Sequence, residues 1–581
     1  MYKALDHFDF DHRLMYVRNI FIFSLLFLVA GLVYFQLVKA DEYVDLASRN
    51  RLRMIRLPSP RGNIYDANGV PLAVNVRTFE IRAYPMDIRL DEDYESTANL
   101  FARHGIPMTS EDLRERVERQ YVAPYRAISV VGNLTLAQVS DLVMDDEFSR
   151  RLFPSPVWRR IYPAGALAAH VVGNVGEITR EELEDQRDLY YQAGDIIGKN
   201  GVELMYEGEL RGTVGEQVVE VDSRGRRLRN VNYNDPQKGT DLNLTLDLAA
   251  QREALRLMEG RKGALVAMDV NDGAVKVLMS LPAFDPNPLT WGISAREWSA
   301  LSGDPDKPMM NRVTGGAYPP GSIFKVVTAA ALLMEKTVDP GKTTVYCPGY
   351  FRLGEPPRTF RCWRRSGHGS ENILGALRDS CDVFFYQNGV KLGIDKLIEW
   401  GHDFGVGEPT GVDIPGEVSG NIAGRDWKRR RWSESWYQGD TVNYSIGQGY
   451  LLMTPMQLVR VYAAFANGGR LLTPRFNSVK KPEWRDVKVS KANMDIIRRG
   501  IRAVVASGTA RVAGDYGVEV AGKTGTAQNS HGEDHAWFVG YAPADNPKYV
   551  AAALVEGGGS GSSVASPVVA QMLSYLLEHD K

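Results

Sequence analysis

Ser322 and Lys325 stand three residues apart at the head of SIFKVVTAAALL, directly after the break Tyr318-Pro319-Pro320-Gly321. Serine is a favoured N-cap after such a break. Ser322 is therefore expected to cap a helix whose run Val326 to Leu333 has no polar face, the mark of a helix buried on every side. Positions i and i+3 share a face, so the hydroxyl and the amine point the same way. An ammonium buried without partners is unfavourable, so the Lys325 pKa is expected to fall toward neutrality and the amine to become a base. An adjacent base is what turns a serine into a nucleophile. The helix N-terminus adds backbone N–H groups where an oxyanion would develop. The plainer alternative is a simple cap beside a lysine that snorkels outward. A second Ser-x-x-Lys, Ser478 to Lys481, lies in the polar, proline-broken stretch NSVKKPEW and has no apolar helix around it.

Two further groups have chemistry to offer. Ser380-Cys381-Asp382 opens another apolar helix in LRDSCDVFFYQNGVKLG, and Lys523-Thr524-Gly525-Thr526 lies inside a strand-like stretch. A nucleophile, a polar pair and a cationic strand edge are the parts of an acyl-transfer site: attack, proton relay, carboxylate anchor and oxyanion donors. The other group is Cys347, Cys362, His368 and Cys381, which holds all three cysteines of the chain. Three sulfurs and one imidazole suit a closed, structural Zn²⁺ site, although the spacings match no stock zinc-finger pattern. A Cys347–Cys362 disulfide with Cys381 as a buried thiol is the competing reading. His368 as an ordinary loop residue in RRSGHGS is another. Three cysteines in 581 residues cannot make a disulfide scaffold.

The elements that must position these groups can be read around them. The chain has length for three or four domains, and its 69 basic residues nearly balance 71 acidic ones, which gives no sign of a nucleic-acid binder. Ile20 to Leu37 is apolar and long enough to span a bilayer. Arg13 and Arg18 precede it, so residues 1–18 are expected in the cytoplasm and the rest outside. A cleaved signal peptide is the rival, but no A-x-A site follows the run. Residues 39–240 are polar and mixed, with an amphipathic helix expected at 134–146 and many turn signals from Asn50 to Val74. The character changes near 235–241. A helix at 248–260 precedes strands 262–270 and 273–282, joined by the hairpin signal Asn271-Asp272-Gly273. Three strands and a helix close the chain, with GGGSGSS at 557–563 read as a flexible loop. The fold class is α+β: one antiparallel sheet completed by both ends of the domain, with an all-helical insert carrying Ser322.

S-x-x-K, then S-x-N or S-x-D, then K-T-G is the signature order of penicillin-binding proteins and serine β-lactamases. PRGNIYDANGVPLA (60–73), GKNGVELMYEGELRGTVGEQ (198–217) and SIGQGYLLMTPMQL (445–458) resemble the pedestal and transpeptidase motifs of class B penicillin-binding proteins, most specifically the elongation-type penicillin-binding protein 2. The resemblance runs from the anchor to the C-terminus, and no glycosyltransferase motif precedes the pedestal. It implies a cytoplasmic tail at 1–18, an anchor at 19–38, a pedestal or dimerisation-type domain at 39–240 and a penicillin-binding transpeptidase domain at 241–581. It also implies roles. Ser322 attacks the penultimate D-alanine carbonyl of a stem peptide, Lys325 takes its proton, and Ser380 relays a proton to the leaving amine. Asp382 helps hold the lysine, where the wider superfamily usually has asparagine; its charge opposes the effect of burial on Lys325. Lys523 and Thr524, with Gly525 and Thr526 of the same motif, bind the terminal carboxylate. The N–H groups of Ser322 and Thr526 form the oxyanion hole. Elongation-type members carry a metal cluster whose His and Cys correspond to His368 and Cys381, with acidic residues able to stand at Cys347 and Cys362.

The resemblance implies an enzyme of the bacterial inner membrane that needs no catalytic cofactor, with structural zinc as an expected ligand. Its expected partners are peptidoglycan stem peptides, β-lactams, the membrane, a polytopic membrane glycosyltransferase and a scaffold protein of the elongation complex. Four functions compete: cross-linking transpeptidase, D,D-carboxypeptidase, β-lactamase or β-lactam sensor, and scaffold. Three intact motifs argue against the scaffold, and a long pedestal argues against a β-lactamase. PRGNIYDANG is read either as a hinge or contact or as a plain structural turn.

Overall fold

The computed structural model describes residues 5–43, 52–88, 91–121, 127–148, 152–185, 191–192, 194–221, 227–529 and 532–580. The N-terminal helix runs Leu5–Val33 and continues as a π-helical turn, Tyr34–Val38. Its segment His12–Val38, 27 residues, is long and apolar enough to cross a membrane, and its apolar window has nothing buried against the protein. The chain divides into two compact units. The first holds residues 1–60, 79–157 and 213–238; the second holds 61–78, 158–212 and 239–581.

In the first unit, Leu52–Leu57, Gly215–Val221 and Arg227–Asn234 form an antiparallel sheet with Gly215–Val221 in the middle. Its core is a separate layer in which Ile81, Phe101, Leu113, Val130 and Leu142 meet. The amphipathic stretch at 134–146 forms the helix Leu136–Val143. Thr135 and Gln138 make its capping box, and Val139 and Leu142 are its buried face.

The second unit carries the candidate chemistry. Helix α1 (Leu248–Met258) leads into β1 (Gly263–Asp269) and β2 (Val275–Leu281). A long insert follows with α2 (Lys325–Met334), α3 (Asp382–Leu392), α4 (Arg425–Trp432), α5 (Gln438–Tyr444), α6 (Pro455–Ala466) and α7 (Lys491–Ala506). Strands β3 (Ala521–Ala527), β4 (His535–Ala542) and β5 (Tyr549–Val555) and helix α8 (Ser566–Glu578) end it. The strands make one antiparallel sheet in the order β2-β1-β5-β4-β3, so the two ends of the domain pair through β1 and β5. Alternate residues of β1 serve opposite cores. Ala264, Val266 and Met268 face the insert, while Leu265 and Ala267 face α1 and α8. Cover on both faces is why these strands read as continuous apolar runs.

The insert is mainly helical and also carries short antiparallel ribbons, among them Val345–Cys347 with Gly369–Glu371 and Tyr350–Leu353 with Arg358–Arg361. The stretch at 557–563 is not a free loop. Gly561–Ala565 forms a π-helical turn at the head of α8, and Ser562 Oγ donates to the Thr509 carbonyl at 2.6 Å. Two of the motif stretches meet in a buried ion network. Glu203, fully buried, accepts from Arg61 Nε at 3.1 Å and from Arg160 Nε at 2.6 Å, with the Tyr162 hydroxyl at 3.3 Å. Its two oxygens accept from both guanidinium groups and from the Tyr162 hydroxyl, which is what allows a carboxylate to sit out of water.

Candidate active site

Ser322 lies in a 3₁₀ turn, Gly321–Phe324, that hands over to α2 at Lys325. It is not a helix cap. Pro320 holds that position, already in helical conformation, and no side chain caps the turn. The Pro-Pro-Gly break thus starts the helix two residues earlier than the serine suggests. Among the described residues the Ser322 hydroxyl has no hydrogen-bond partner, and the residue is partly buried. The turn itself is fixed from several sides. The Gly321 N–H donates to the Gly447 carbonyl at 2.9 Å, the Tyr462 hydroxyl to the Ile323 carbonyl at 3.0 Å, and Thr328 Oγ1 to the Ser445 carbonyl at 2.9 Å.

Lys325 is fully buried, but it has partners. Its ammonium donates to Asp382 Oδ1 at 2.6 Å, the Ser380 carbonyl at 2.9 Å and Ser380 Oγ at 3.2 Å. Ser380 has φ +57°, a left-handed conformation rare outside glycine, which turns both of its oxygens toward the lysine. The second oxygen of Asp382 accepts the Trp363 N–H at 2.9 Å. Burial holds the Asp382 carboxyl above the usual carboxylate range, against the pull of Lys325.

The Lys523-Thr524-Gly525-Thr526 stretch is β3, the edge of the sheet. Lys523 is fully buried, and burial, helped by the charge of Lys325, drives its pKa well below the ordinary lysine value. Its ammonium donates to the Thr524 carbonyl at 3.2 Å, and Thr524 Oγ1 lies 2.7 Å from Thr509 Oγ1. Thr526 is exposed, and its carbonyl accepts from Gln448 Nε2 at 3.2 Å. Strand and nucleophile turn approach so closely that side chains are excluded. A Cβ on Gly525 would lie 2.8 Å from Ile323 Cγ1, one on Gly447 2.2 Å from the Gly321 carbonyl oxygen, and one on Gly561 2.4 Å from the Gly525 carbonyl oxygen.

The structure therefore gathers Ser322, Lys325, Ser380, Asp382 and the β3 stretch into one place. Ser478, of the second Ser-x-x-Lys, sits in an exposed turn. Thr509, Gly447 and Gln448 were not singled out from sequence. The two glycines bracketing Gln448 in SIGQGY were a readable signal of tight backbone packing; Thr509 had none.

Cys347, Cys362, His368 and Cys381 also come together, with their donor atoms all within 4.8 Å of one another. The three cysteines are free and buried, so no Cys347–Cys362 disulfide forms. His368 Nδ1 lies 3.6 Å from both Cys347 Sγ and Cys362 Sγ. A sulfur and a nitrogen on a tetrahedral zinc are separated by about 3.6 Å at the usual bond lengths. The Cys362 thiol is lowered, chiefly by the hydrogen bond from Cys381, so one thiolate is already favoured in the cluster. The donor set fits a metal.

The comparisons agree with this geometry. Residues 263–574 match the family model of the penicillin binding protein transpeptidase domain, and residues 56–244 match that of the penicillin-binding protein dimerisation domain. The peptidoglycan D,D-transpeptidase MrdA of Haemophilus influenzae is 34% identical over 98% of this chain and 92% of its own length, and that of Escherichia coli K12 is 33% identical over 95% and 91%. Among solved structures, penicillin-binding protein PBP2 of Helicobacter pylori in complex with MreC superposes with a TM-score of 0.84 at 32% identity, covering 91% of this chain and 99% of that one. Pseudomonas aeruginosa PBP2 in complex with WCK 5153 gives 0.71 at 33%, covering 91% and 97%. A serine, a doubly anchored buried lysine and a KTG edge strand in a chain matched along nearly all its length lead to one conclusion: this chain belongs to the class B penicillin-binding proteins, among the elongation-type peptidoglycan D,D-transpeptidases.

Proposed function

We propose that this chain cross-links peptidoglycan stem peptides during cell elongation, acting outside the cytoplasm from a single membrane anchor. The observation that carries the reading is the Lys325 ammonium, fully buried three residues after Ser322 and held at once by Ser380 and Asp382. In its amine form Lys325 takes the Ser322 proton as Oγ attacks the penultimate D-alanine carbonyl. The C–N bond to the terminal D-alanine then breaks, and its amine receives a proton along the Lys325–Ser380 Oγ contact. Lys523 and Thr524 meet the terminal carboxylate, Gly525 keeps the strand close, and the N–H groups of Ser322 and Thr526 stabilise the oxyanion. An amine from a second stem peptide next takes the acyl group from Ser322. The free edge of β3 offers main-chain groups to an extended peptide, which supports this placement. On this reading residues 39–240 are the pedestal and 241–581 the penicillin-binding domain, with 61–78 and 158–212 packing into the same unit as the latter.

Cys347, Cys362, His368 and Cys381 would hold a structural zinc, which supplies cross-linking of the insert and no step of the reaction. The site borders the chemistry, since Trp363, which follows Cys362, donates its N–H to Asp382. A membrane glycosyltransferase and an elongation scaffold protein are the partners we assign, supported by the solved complex of a relative with MreC and by another titled a peptidoglycan synthase complex, 29% identical with a TM-score of 0.73.

The test is intact-mass analysis of the full chain in detergent after exposure to benzylpenicillin, with Ser322→Ala alongside. One persistent adduct, absent from the variant, is the expected result. Rapid drug turnover without an adduct would indicate a β-lactamase, and neither adduct nor turnover from folded protein would revive the scaffold. Metal analysis of protein purified without chelator should return one zinc per chain; a metal-free protein with normal stability would remove the zinc.

A further inference from the structure

The chain as a whole carries slightly more acid than base, yet one part of the catalytic unit is strongly basic. The ribbon at 350–361 and the residues after it carry Arg352, Arg361, Arg364 and Arg365, and α4 ends with Arg430 and Arg431; all six are exposed. Among the described residues none of the six is in an ion pair. The acids nearest in sequence to α4 are already engaged, Asp426 by Arg429 at 3.7 Å and Glu434 by Lys428 at 3.5 Å.

The ribbon has two distinct faces. Its register pairs Tyr350 with Arg361 and Phe351 with Phe360. Phe351 and Phe360 pack on Tyr386 of α3, so Tyr350, Arg352 and Arg361 make the outward face. Exposed aromatic rings alternate with the cations. Arg352 lies 5.2 Å from the Tyr350 ring centre and Arg431 5.5 Å from that of Trp432, while Trp363 is 56% exposed. Helix α5 lies between the two basic segments and meets the ribbon at the inner-face residue Phe360. Lys428 of α4 bonds Asp440 of α5 at 2.7 Å, and a Cβ on Gly439 of α5 would stand 3.2 Å from Phe360.

This surface reaches the catalytic groups through Trp363, whose backbone N–H donates to Asp382. Helix α5, which bonds α4 through Asp440, precedes the loop that carries Gln448, the donor to the Thr526 carbonyl. Unpaired guanidinium groups recognise carboxylates in fork geometry, and exposed rings give flat apolar faces of the kind sugar rings stack on. We infer that this surface is a docking site for a carboxylate-rich glycopeptide strand, and that it delivers an anionic peptidoglycan chain to the site around Ser322. The inference rests on the cross-linking function proposed above and adds a strand-binding surface outside the three motifs. The direct link from Trp363 to Asp382 favours the substrate strand over an anionic membrane surface.

The experiment uses the full chain in detergent and, as probe, purified uncross-linked glycan strands with free stem carboxylates. The same strands with those carboxyls amidated, and phosphatidylglycerol vesicles, are the comparisons. The double reversals Arg352→Glu/Arg361→Glu and Arg430→Glu/Arg431→Glu should each weaken strand binding roughly tenfold or more, with the wild-type affinity falling as salt rises. Amidation should weaken wild type to a similar extent and leave the variants little changed. Both variants should still be acylated by benzylpenicillin, which shows them folded. Equal binding of free and amidated strands by wild type would overturn the inference, as would unchanged strand binding by the reversals. Loss of vesicle binding alone would assign the surface to the membrane instead. Failure of wild type to acylate would sink the cross-linking reading itself, a separate outcome.

Discussion

Gly447→Ala tests whether backbone contact, rather than side-chain contact, sets the position of the nucleophile. Gly447 has φ +75°, and an alanine Cβ there would lie 2.2 Å from the Gly321 carbonyl oxygen, where real contacts do not fall below 3.0 Å. Something must move by about 0.8 Å, and the left-handed conformation adds about 1 kcal/mol. The atom displaced belongs to the residue directly before Ser322, and Gly321 is also tied to Gly447 through its own N–H. The movement is therefore delivered to the serine. Misplacing a reacting group by that distance costs about 10²-fold in rate, or about 2.7 kcal/mol of barrier. The assay is the second-order rate constant for acylation by a fluorescent penicillin, read beside the thermal unfolding curve. We expect a rate about 10²-fold lower in a variant that still unfolds cooperatively. A variant that acylates within about twofold of wild type would refute the reasoning, because the turn would then be free to absorb the methyl group without moving Ser322.

Other substitutions probe the charges. In Asp382→Asn a single acceptor oxygen must serve both Lys325 and the Trp363 N–H, so one donor faces an amide NH₂. Breaking this buried pair should lower stability by about 3–5 kcal/mol in denaturant titration, and an unchanged midpoint would count against it. Lys523 has its pKa depressed by burial, so its ammonium is lost as pH rises through a value well below 10.5. Acylation by a carboxylate-bearing β-lactam should fall on that alkaline limb, and Lys523→Arg, charged throughout, should move the limb upward. A wild-type profile flat to about pH 10 would contradict the assignment. Glu203→Gln removes the fully buried charge that Arg61 and Arg160 share, with Arg61 keeping Glu207 at 2.8 Å, and should destabilise the catalytic unit by about 3–5 kcal/mol; equal melting curves would show that the network is dispensable.

Much of this was legible because local and long-range signals agreed. The five-stranded sheet could be read from apolar runs and one hairpin turn, since strands covered on both faces leave no polar alternation to misread. The catalytic motifs were legible by residue type, but their couplings were not. Burial of Lys325 followed from the apolar helix. That Asp382 and the Ser380 carbonyl would meet it depends on a left-handed serine fifty-five residues away, which no local pattern announces. Residue type points to Ser322 as a cap, but Pro320 adopts helical conformation ahead of it and takes that position. The glycine-rich stretch at 557–563 reads as a flexible loop from composition, whereas close approach to the Trp537 and Gly525 carbonyl oxygens is what requires glycine at 561. Thr509 belongs to the site only through the fold.

The glycines that bring the Ser322 turn, the 445–450 loop and β3 together have an evolutionary consequence. Their closest contacts are largely backbone against backbone, so there are few side chains there to exchange gradually. A lineage under antibiotic selection would find these positions closed, because any substitution moves the serine that the natural substrate also needs. Heritable resistance in this chain should therefore accumulate at the rim of the cleft, in residues that shape entry and departure.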